Sequence, residues 1–333
     1  MPGHKLRLAA RTLVAGLLTL LAAGPAALAQ DYPTKPITLL VVFAAGGPSD
    51  TLARLIGDHV GRQFGKQMVV ENIAGAGGVI GTARAAQAAP DGYTILTQHH
   101  GHAASHALYA GLKFDAVADF EPLGLINRGP SVILSRANLE TKTLADLVSW
   151  LKKKGPDATI GHAGIGSNSF ICASVLQHAI GVRLSMVPYR GTGPAMNDLV
   201  SQQIDVLCDQ ATTSVPQIKA GTVKAYALTS ATRLKDLDVP SNVEAGLPAL
   251  EATVWNGVYA PKGTPAAILD KWNAALQKFV EDPAVVARFE ATGTEPFPME
   301  MRTRAAHAKF LRDQMTFFDS LFTAMNVQKR EIR

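Results

Sequence analysis

The stretch that decides the fold is Leu39-Leu-Val-Val-Phe43, which leads directly into Ala44-Ala-Gly46-Gly47-Pro48-Ser49-Asp50. Five consecutive apolar residues predict a buried strand of a parallel sheet. Pro48, Ser49 and Asp50 are typical of a helix start, and the two glycines let a ligand approach the backbone closely. Free amides and the helix dipole together favour an anion site. A plain tight turn between strand and helix is the alternative interpretation.

The same unit recurs along the first half of the chain. Gln67–Asn72 predicts a second strand, followed by a glycine-rich loop at Gly75–Gly81 and a helical stretch. Tyr93–Thr97 predicts a third strand, which ends in the polar loop Gln98–His102. Strands that alternate with helices indicate parallel pairing through crossover connections. In such sheets ligands bind beyond the carboxyl ends of the strands, where all three loops lie.

A comparable pattern follows in the second half. Ala158–Gly161 predicts a short strand, and the loop His162–Ser169 opens a helix that begins at about Phe170. Ile204–Cys208 predicts another strand, which ends at Asp209. Two glycine-rich helix starts, one in each half, could clamp a ligand with one or two carboxylates. Between the halves, Leu123–Asn127 and Ser131–Leu134 read as two strands around an Arg128-Gly129-Pro130 turn.

The N-terminus has the pattern of a secretory signal. Lys5, Arg7 and Arg11 precede an apolar run, and Ala27-Leu28-Ala29 is typical of a cleavage site. Removal of residues 1–29 takes away three basic residues and lowers the formal charge from +5 to +2. The basic isoelectric point is therefore no argument for nucleic-acid binding. With 47% hydrophobic and 18% charged residues, the chain is globular rather than disordered.

Two cysteines, Cys172 and Cys208, lie in apolar runs of a chain that is predicted to be exported. Export permits a disulfide, whereas a free cysteine in an apolar run is a small core residue. The sequence leaves both states open.

Three further chemistries are weighed against carboxylate binding. Gly75, Gly77 and Gly81 have the spacing GxGxxxG, which departs from a dinucleotide fingerprint. Ser167 and Ser169 could serve an exported serine hydrolase, but the GxSxG elbow is missing. A histidine-rich loop could make the chain a periplasmic metal-binding protein, although no acid or cysteine accompanies it locally; it contains His99, His100, His102 and His106.

An ordered series of short motifs resembles the Bug-type extracytoplasmic solute receptors of tripartite tricarboxylate transporters. The series runs from Tyr32 to near the C-terminus and comprises Tyr32-Pro33-x-Lys35-Pro36-Ile37, Phe43-x-x-Gly46-Gly47-x-x-Asp50, Val70-Glu71-Asn72, Gly75-Ala76-Gly77-Gly78, Ala89-Pro90-Asp91-Gly92-Tyr93, Val187-Pro188-Tyr189-Arg190-Gly191, Ile218-Lys219-Ala220-Gly221 and Ala260-Pro261-x-Gly263-Thr264-Pro265.

The resemblance implies an α/β fold, that of a two-lobed type 2 periplasmic binding protein. Each lobe would be a mostly parallel sheet flanked by helices, with the ligand cleft between the lobes. The implied division places a signal peptide at 1–29, lobe 1 at 30–132, lobe 2 at 133–230 and the return to lobe 1 at 231–333. The crossings are expected near Arg128–Leu134 and Leu228–Ala231, where the lobes would hinge.

The resemblance also implies that loops of both lobes contact the ligand, through backbone groups and ordered waters. The expected ligand-binding residues are Phe43, Ala45, Gly46, Gly47, Ser49, Asp50, Gly78, Gln98, His99, Gly166, Ser167, Asn168, Ser169, Phe170 and Asp209. No catalytic residue, metal ligand or cofactor is expected.

Departures from the family pattern bear on the ligand. Val79 stands where the family usually has Asn, Ser105-His106-Ala107 replaces an Asn-Pro before Leu108-Tyr109, and Phe170 replaces a His. We therefore expect a flatter and less polar ligand than citrate or an amino acid, with an aromatic dicarboxylate such as terephthalate favoured. The remaining expectations are a periplasmic monomer, cleaved near Ala29, that works with the membrane subunits of a tripartite transporter and binds no nucleic acid.

Overall fold

The computed structural model describes residues 32–332. The predicted signal peptide and its cleavage site near Ala29 lie outside these residues. Within them, no helix is long and apolar enough to cross a membrane.

The described chain alternates strands and helices. The strands are β1 (Ile37–Val41), β2 (Met68–Asn72), β3 (Thr94–His99), β4 (Tyr109–Ala110), β5 (Phe120–Arg136), β6 (Thr159–His162), β7 (Ser185–Pro188), β8 (Val206–Gln210), β9 (Val223–Leu228), β10 (Thr253–Pro261), β11 (Glu295–Pro296) and β12 (Arg330–Glu331). The α-helices are α1 (Pro48–Phe64), α2 (Val79–Ala86), α3 (Gly101–Leu108), α4 (Leu144–Lys154), α5 (Asn168–Ile180), α6 (Thr192–Val200), α7 (Ala211–Lys219), α8 (Ala266–Glu281), α9 (Pro283–Ala291) and α10 (Arg304–Ala324).

One mixed sheet runs through both lobes in the order β2-β1-β3-β10-β5-β8-β6-β7, and β9 and β11 also pair with β5. The first lobe is built on β2, β1, β3 and β10, and the second on β8, β6, β7 and β9. The outer pairs β1–β2, β1–β3, β6–β7 and β6–β8 are parallel, as the alternation of strands and helices predicts. The pairs at the centre, β3–β10, β10–β5 and β5–β8, are antiparallel.

The predicted turn at Arg128–Pro130 is wrong, because Phe120–Arg136 forms one continuous strand. Its first part pairs with β10 as far as Pro130, and from Ser131 onward it pairs with β8. Proline lacks the backbone N–H that a ladder needs, and Pro130 lies where the strand exchanges one partner for another. The Gly-Pro pair therefore marks the passage between lobes rather than a chain reversal.

Helices cover both faces of the sheet at β1, which explains why residues 39–43 form an apolar run. Leu39 packs in a cluster with Ile56 of α1 and Trp272 of α8. Leu40 packs on the opposite face in a cluster that includes Phe318 of α10. Successive residues of a strand point to opposite faces, so a strand that is covered on both faces has no solvent side and needs no polar residues.

The second lobe has the same layered arrangement. Leu147 of α4 and Leu176 of α5 pack against Ile133 on one face. Leu199 of α6 and Val215 of α7 pack with Leu134 on the other. The carboxyl ends of β1, β3, β6 and β8 consequently face the region between the lobes, where the helix starts that follow them converge.

Candidate functional site

A small cavity of about 20 Å³ lies between the lobes and is walled by both. Eight of the predicted site residues line it: Phe43, Gly47, Ser49, His99, Ser167, Asn168, Ser169 and Asp209. Four other residues complete the wall, namely Pro48, Ala163, Thr192 and Gln210. A groove of about 480 Å³ shares Pro48, Thr192 and Gln210 with the cavity and adjoins it.

In the first lobe, the cavity wall is the start of α1. Gly47 occupies the N-cap position in an extended conformation and provides no side-chain cap. The first amides of a helix have no intrahelical acceptor, so those of Ser49 and Asp50 remain available to an anion. The Asp50 carboxylate is turned away to other partners: it accepts from the Gly46 amide at 3.0 Å and from Arg54 through two bonds of 3.0 Å each.

The charge of Asp50 holds the loop rather than a ligand. Burial alone would raise the pKa of this carboxyl, but the hydrogen bonds from Arg54 and the Gly46 amide hold the pKa below its usual value. Asp50 therefore stays ionised and pins the glycine loop to the helix.

In the second lobe, the wall is the start of α5, which side chains brace. Ser167 caps the helix by accepting from the Phe170 amide at 3.2 Å. Ser169 accepts from the Ala163 amide at 2.9 Å, and Asn168 Nδ2 donates to Ser131 Oγ at 2.9 Å. Both serine hydroxyls thus hold the loop in shape, while the amides of Asn168 and Ser169 in the first turn lack intrahelical acceptors.

Two further helix starts reach the cavity. Thr192 is the first residue of α6, and Gln210 is the N-cap of α7. Four helix N-termini therefore converge, each carrying a partial positive charge. Among residues 32–332, the side chains that line the cavity include no lysine or arginine. The arrangement suits an anion that is held by backbone donors and dipoles rather than by a counter-ion.

Asp209 places a carboxylate in this positive environment. It is 1% exposed, and burial raises its pKa to about 6 against the opposing hydrogen bonds from Thr213, the Gln210 amide and Thr192. Thr213 donates to Oδ2, whereas Oδ1 has no hydrogen-bond partner within the described chain. Asn168 Oδ1 likewise lacks a partner there. The Asp209 and Asn168 side chains in the cavity wall therefore each keep a polar atom whose hydrogen bonding is incomplete.

An aromatic pair forms another part of the wall. The rings of Phe43 and His99 stack at 4.9 Å with an interplanar angle of 16°. Burial keeps the pKa of His99 well below its usual value, so the ring is neutral. Its Nδ1 accepts from the Gly101 amide at 2.8 Å, which places the ring proton on Nε2. His99 can therefore offer a neutral donor as well as an apolar face.

The two lobes are in direct contact around the cavity. The Ala44 amide donates to the Arg190 carbonyl at 3.1 Å. The Tyr109 hydroxyl lies 2.9 Å from the carbonyl oxygens of Ala76 in the first lobe and Ile165 in the second. Gly77 is so close to the second lobe that an added Cβ would lie 1.5 Å from the Ile165 oxygen. The lobes are thus closed on each other.

The remaining predicted site residues lie outside the cavity wall. Ala45 and Gly46 line the adjoining groove. Gly78, Gln98 and Gly166 lie in a tightly filled contact between the lobes, where Gln98 accepts from the His99 amide at 2.9 Å.

The Phe170 ring packs against a hydrophobic cluster of the first lobe and meets the edge of His162 at 5.4 Å. It is not among the residues that wall the cavity. The expectation of an aromatic ligand therefore loses this residue as its support.

The fold directs the side chains of the histidine-rich loop to separate partners. His102 Nε2 lies 3.0 Å from the Ala116 carbonyl oxygen, and His106 Nε2 lies 2.8 Å from Asp319. Within residues 32–332 there is no group of three or more histidine, cysteine, aspartate or glutamate side chains placed to hold a metal ion.

Cys172 and Cys208 are joined by a disulfide, with a Cα–Cα distance of 6.1 Å. Both cysteines are fully buried. Cys172 follows Asn168 by about one helical turn, and Cys208 immediately precedes Asp209. The bond therefore fastens the helix that presents Asn168 to the strand that presents Asp209.

Sequence reasoning missed Thr192, Gln210, Tyr109 and Ser131 as parts of the site. Thr192 follows the Val187–Gly191 motif directly, and its glycine neighbours were a usable signal. Ser131 begins the strand that was interpreted as following a turn, so its contact with Asn168 was not predicted. The role of Tyr109 depends on the approach of the lobes, which no local pattern encodes.

Comparison with known proteins identifies the class. Residues 52–327 match the TctC family, described as "Tripartite tricarboxylate transporter family receptor". A protein from the TAR-I ttuE-ttuC' intergenic region of Agrobacterium vitis is 46% identical over 88% of this chain and 85% of its own length.

Two solved structures are similar throughout. The periplasmic binding protein BugD is 38% identical with a TM-score of 0.87, over 90% of this chain and 100% of its own. MatC from Rhodopseudomonas palustris with bound malate is 35% identical with a TM-score of 0.84, over 87% of this chain and 99% of its own.

The fold and the converging helix starts define a two-lobed periplasmic binding protein. The chain belongs to the TctC family of tripartite tricarboxylate transporter receptors, a family of solute-binding receptors rather than enzymes.

Proposed function

We propose that this protein captures a small organic dicarboxylate between its lobes, in the cavity together with the adjoining groove, and presents it to the membrane subunits of a tripartite transporter. The observation that carries the proposal is the convergence of four helix N-termini on one cavity whose wall, within the described chain, has no cationic side chain. Backbone amides and dipoles suit carboxylates. Malate bound to the related MatC supports a ligand of this size and charge.

We infer that the ligand-binding residues are those of the predicted set that wall the cavity, together with Thr192 and Gln210. Ala45 and Gly46 would contribute from the adjoining groove, and Asp50 would act by holding the loop. Gly78, Gln98 and Gly166 would act through the contact between lobes. The continuous strand β5 and the segment after β9 are the proposed hinge, which puts the lobe boundaries near residues 132 and 230.

An aromatic dicarboxylate such as terephthalate is a second candidate ligand. The Phe43–His99 stack supports it, since an aromatic ring of the ligand could pack against a ring already held in place. The proposal also includes export after cleavage near Ala29 and function as a monomer.

The test is calorimetric titration and thermal shift of the chain from Gln30 onward with succinate, malate, terephthalate, their methyl esters and divalent metals. Saturable stabilisation by the acids, without turnover of the esters, is the expected result. Ester hydrolysis, or a response to metals alone, would contradict the receptor function.

A pair of variants at Gly47 ties the result to the cavity. An added Cβ would lie 3.5 Å from Thr192 Oγ1, an ordinary contact, and the backbone is extended, so Gly47→Ala should bind nearly normally. Gly47→Val adds methyl groups where the anion must approach and should abolish binding with little change in the melting temperature. Normal affinity of Gly47→Val would remove this loop from the site.

A further inference from the structure

A second groove, the aromatic groove, has a volume of about 520 Å³ and is walled by both lobes. Ile171 and Val175 of α5 form the wall from the second lobe. The wall from the first lobe contains five aromatic side chains: Trp255, Phe297, Phe310, Phe317 and Phe318. A concave, mostly apolar space of this size is typical of sites that bind a small organic molecule.

The aromatic groove is separate from the proposed dicarboxylate site. Asn127 of β5 and Asn256 of β10 line the groove that adjoins the cavity. Their neighbours Arg128 and Trp255 line the aromatic groove. Successive residues of a strand point to opposite faces, so the two grooves lie on opposite faces of the central strands.

One buried polar side chain in the wall of the aromatic groove lacks a partner. His100 lines the groove and is 2% exposed. Its Nδ1 lies 3.3 Å from the Thr253 carbonyl oxygen and must therefore carry the ring proton. Burial lowers the pKa of His100 to about 4, so the ring is neutral. Nε2 is then an acceptor, and it has no partner within residues 32–332, which is unfavourable for a buried group.

The other polar groups of the groove favour an uncharged ligand. The Arg128 side chain donates to Glu295 at 2.8 Å, so its charge is compensated, and Glu251 is exposed to water. Gln314 accepts from Trp255 Nε1 at 2.8 Å through its oxygen, which leaves the amide nitrogen as a donor. An imidazole acceptor and an amide donor match a hydroxyl, which both donates and accepts.

We propose that the aromatic groove binds an uncharged hydroxylated aromatic compound, of the phenol or naphthol class, whose hydroxyl donates to His100 Nε2. The ring of the compound packs among the aromatic side chains of the wall. Those side chains already form edge contacts with one another, with centroids 5.0 Å apart for Trp255 and Phe310 and 5.4 Å apart for Phe297 and Phe310. A further ring extends this arrangement. The site is additional to the receptor function proposed above.

Two contacts connect the aromatic groove with the cavity. Helix α5 has Asn168 in the cavity wall and, less than two turns further on, Ile171 and Val175 in the groove wall. The rings of His99, in the cavity wall, and His100, in the groove wall, meet edge to face at 5.2 Å. A molecule in the groove contacts both lobes in their closed arrangement, so it should favour closure and raise the affinity for a dicarboxylate.

The experiment is calorimetric titration of the chain from Gln30 onward, without any dicarboxylate, with 2-naphthol and with its methyl ether 2-methoxynaphthalene. The ether has the same rings but no donor for His100 Nε2. We expect saturable binding of 2-naphthol, one molecule per chain, at least about fivefold tighter than that of the ether. No saturable binding of 2-naphthol, or equal affinities for the two compounds, would overturn the proposal.

Variants locate the compound in the groove. Phe317 is 53% exposed, so Phe317→Ala should fold normally and weaken 2-naphthol binding about fivefold or more. Met299→Ala is the matched control: Met299 is 73% exposed and is not among the residues that wall the groove. Unchanged affinity in Phe317→Ala, or an equal loss in both variants, would place the compound elsewhere.

A variant at His100 tests the hydroxyl contact. In His100→Asn the shorter amide can still donate to the Thr253 carbonyl, as Nδ1 does, but no acceptor remains at the position of Nε2. The preference for 2-naphthol over the ether should fall to about onefold. A preference that persists in this variant would reject the assignment to His100.

L-malate separates the aromatic groove from the cavity. With malate at saturation, 2-naphthol should bind about fivefold more tightly or better, because coupling between two sites is reciprocal. Displacement of 2-naphthol by malate would place both in one site and overturn the proposal, and an unchanged affinity would reject the coupling. Absence of malate binding alongside intact 2-naphthol binding would instead contradict the proposed ligand of the receptor.

Discussion

The two loops that face each other across the cavity reach the same chemistry by different means. The first, at the start of α1, has a glycine N-cap without a side-chain cap, and its shape depends on Asp50 bonding to Gly46 and Arg54. The second, at the start of α5, is braced by Ser167 and Ser169 and has a disulfide beneath it. Both present first-turn amides, so the proposed anion site would depend on the backbone, and the side chains serve mainly to hold the loops.

This difference indicates that the two loops are held in place to different degrees. The second loop, fastened to β8 through Cys172 and Cys208, is a rigid half-site. The first loop has no disulfide and is held by the hydrogen bonds of Asp50 to Gly46 and Arg54. The contact of Gly77 with Ile165 shows how close that approach is, and it supplies the variant with the largest expected effect.

Gly77→Ala should separate the lobes. The new Cβ would lie 1.5 Å from the Ile165 oxygen, an overlap that only movement of one lobe can relieve. We expect ligand affinity to fall about hundredfold or more, with a larger radius of gyration by X-ray scattering.

The matched control for Gly77→Ala is Gly65→Ala. Gly65 has a φ of +63°, close to the +62° of Gly77, but nothing lies within 4 Å of its added Cβ. Both variants carry the same backbone strain of about 1 kcal/mol. Equal affinities for the two would show that the contact between the lobes does not limit binding.

The sequence predicted the individual loops, but it did not predict the contacts that form when the two lobes come together. The strand, glycine and helix-start pattern is local, so the two helix starts at residues 46–50 and 164–169 could be predicted from the residue pattern, whereas the individual contact residues came from the family resemblance. Tyr109 and Ser131 act only when distant segments come together. The interpretation of Gly129-Pro130 as a turn was wrong because a strand that exchanges partners can accommodate a missing N–H, and nothing local distinguishes that case from a turn.

The cysteine pair shows the same limit. Its bond depends on how α5 lies on β8, and the sequence could only leave it open. Phe170 was predicted to lie at the cleft from its position next to the cap, whereas the fold packs its ring against a hydrophobic cluster.

The lobes should also differ in their response to acid. In the first lobe, burial lowers the pKa of His100 and His102 to about 4 and that of His307 to about 3. Each histidine binds a proton more readily when unfolded, near its ordinary value of about 6.5. Stability is therefore fully present above about pH 6.5 and should fall by several kcal/mol as the pH drops towards about 4.

In the second lobe, burial also lowers the pKa of His162, which adds to this trend, and the Asp209 carboxyl acts against it. The pKa of Asp209 is raised to about 6, so the folded state binds that proton first and gains stability as the pH falls from about 6 towards 3.8. Three histidines outweigh one carboxyl. Urea unfolding across this range should show the midpoint falling with acidification, and a midpoint that is flat or rises would contradict the assignment.

A variant at His307 tests whether the loss of stability in acid arises in the first lobe. Neither ring nitrogen of His307 has a partner within the described residues, so His307→Leu loses no hydrogen bond and should reduce the pH dependence. His178→Gln, at an exposed position of α5, should leave the pH profile unchanged.

The smallest expected effect on affinity is that of a Phe170 variant. It tests which lobe provides aromatic contacts to the ligand. Because the ring packs against the cluster and the edge of His162 rather than the cavity, Phe170→His should lower stability by about 1–2 kcal/mol through lost burial. Its effect on affinity should stay below about twofold and be equal for aromatic and aliphatic dicarboxylates.

Phe43→Leu is the counterpart in the first lobe: it removes the ring stacked on His99 and should weaken an aromatic acid more than an aliphatic one. Calorimetry of both variants with succinate and terephthalate distinguishes them. A selective loss of terephthalate binding in Phe170→His would return that ring to the site, and the second lobe would then contribute specificity as well as rigidity.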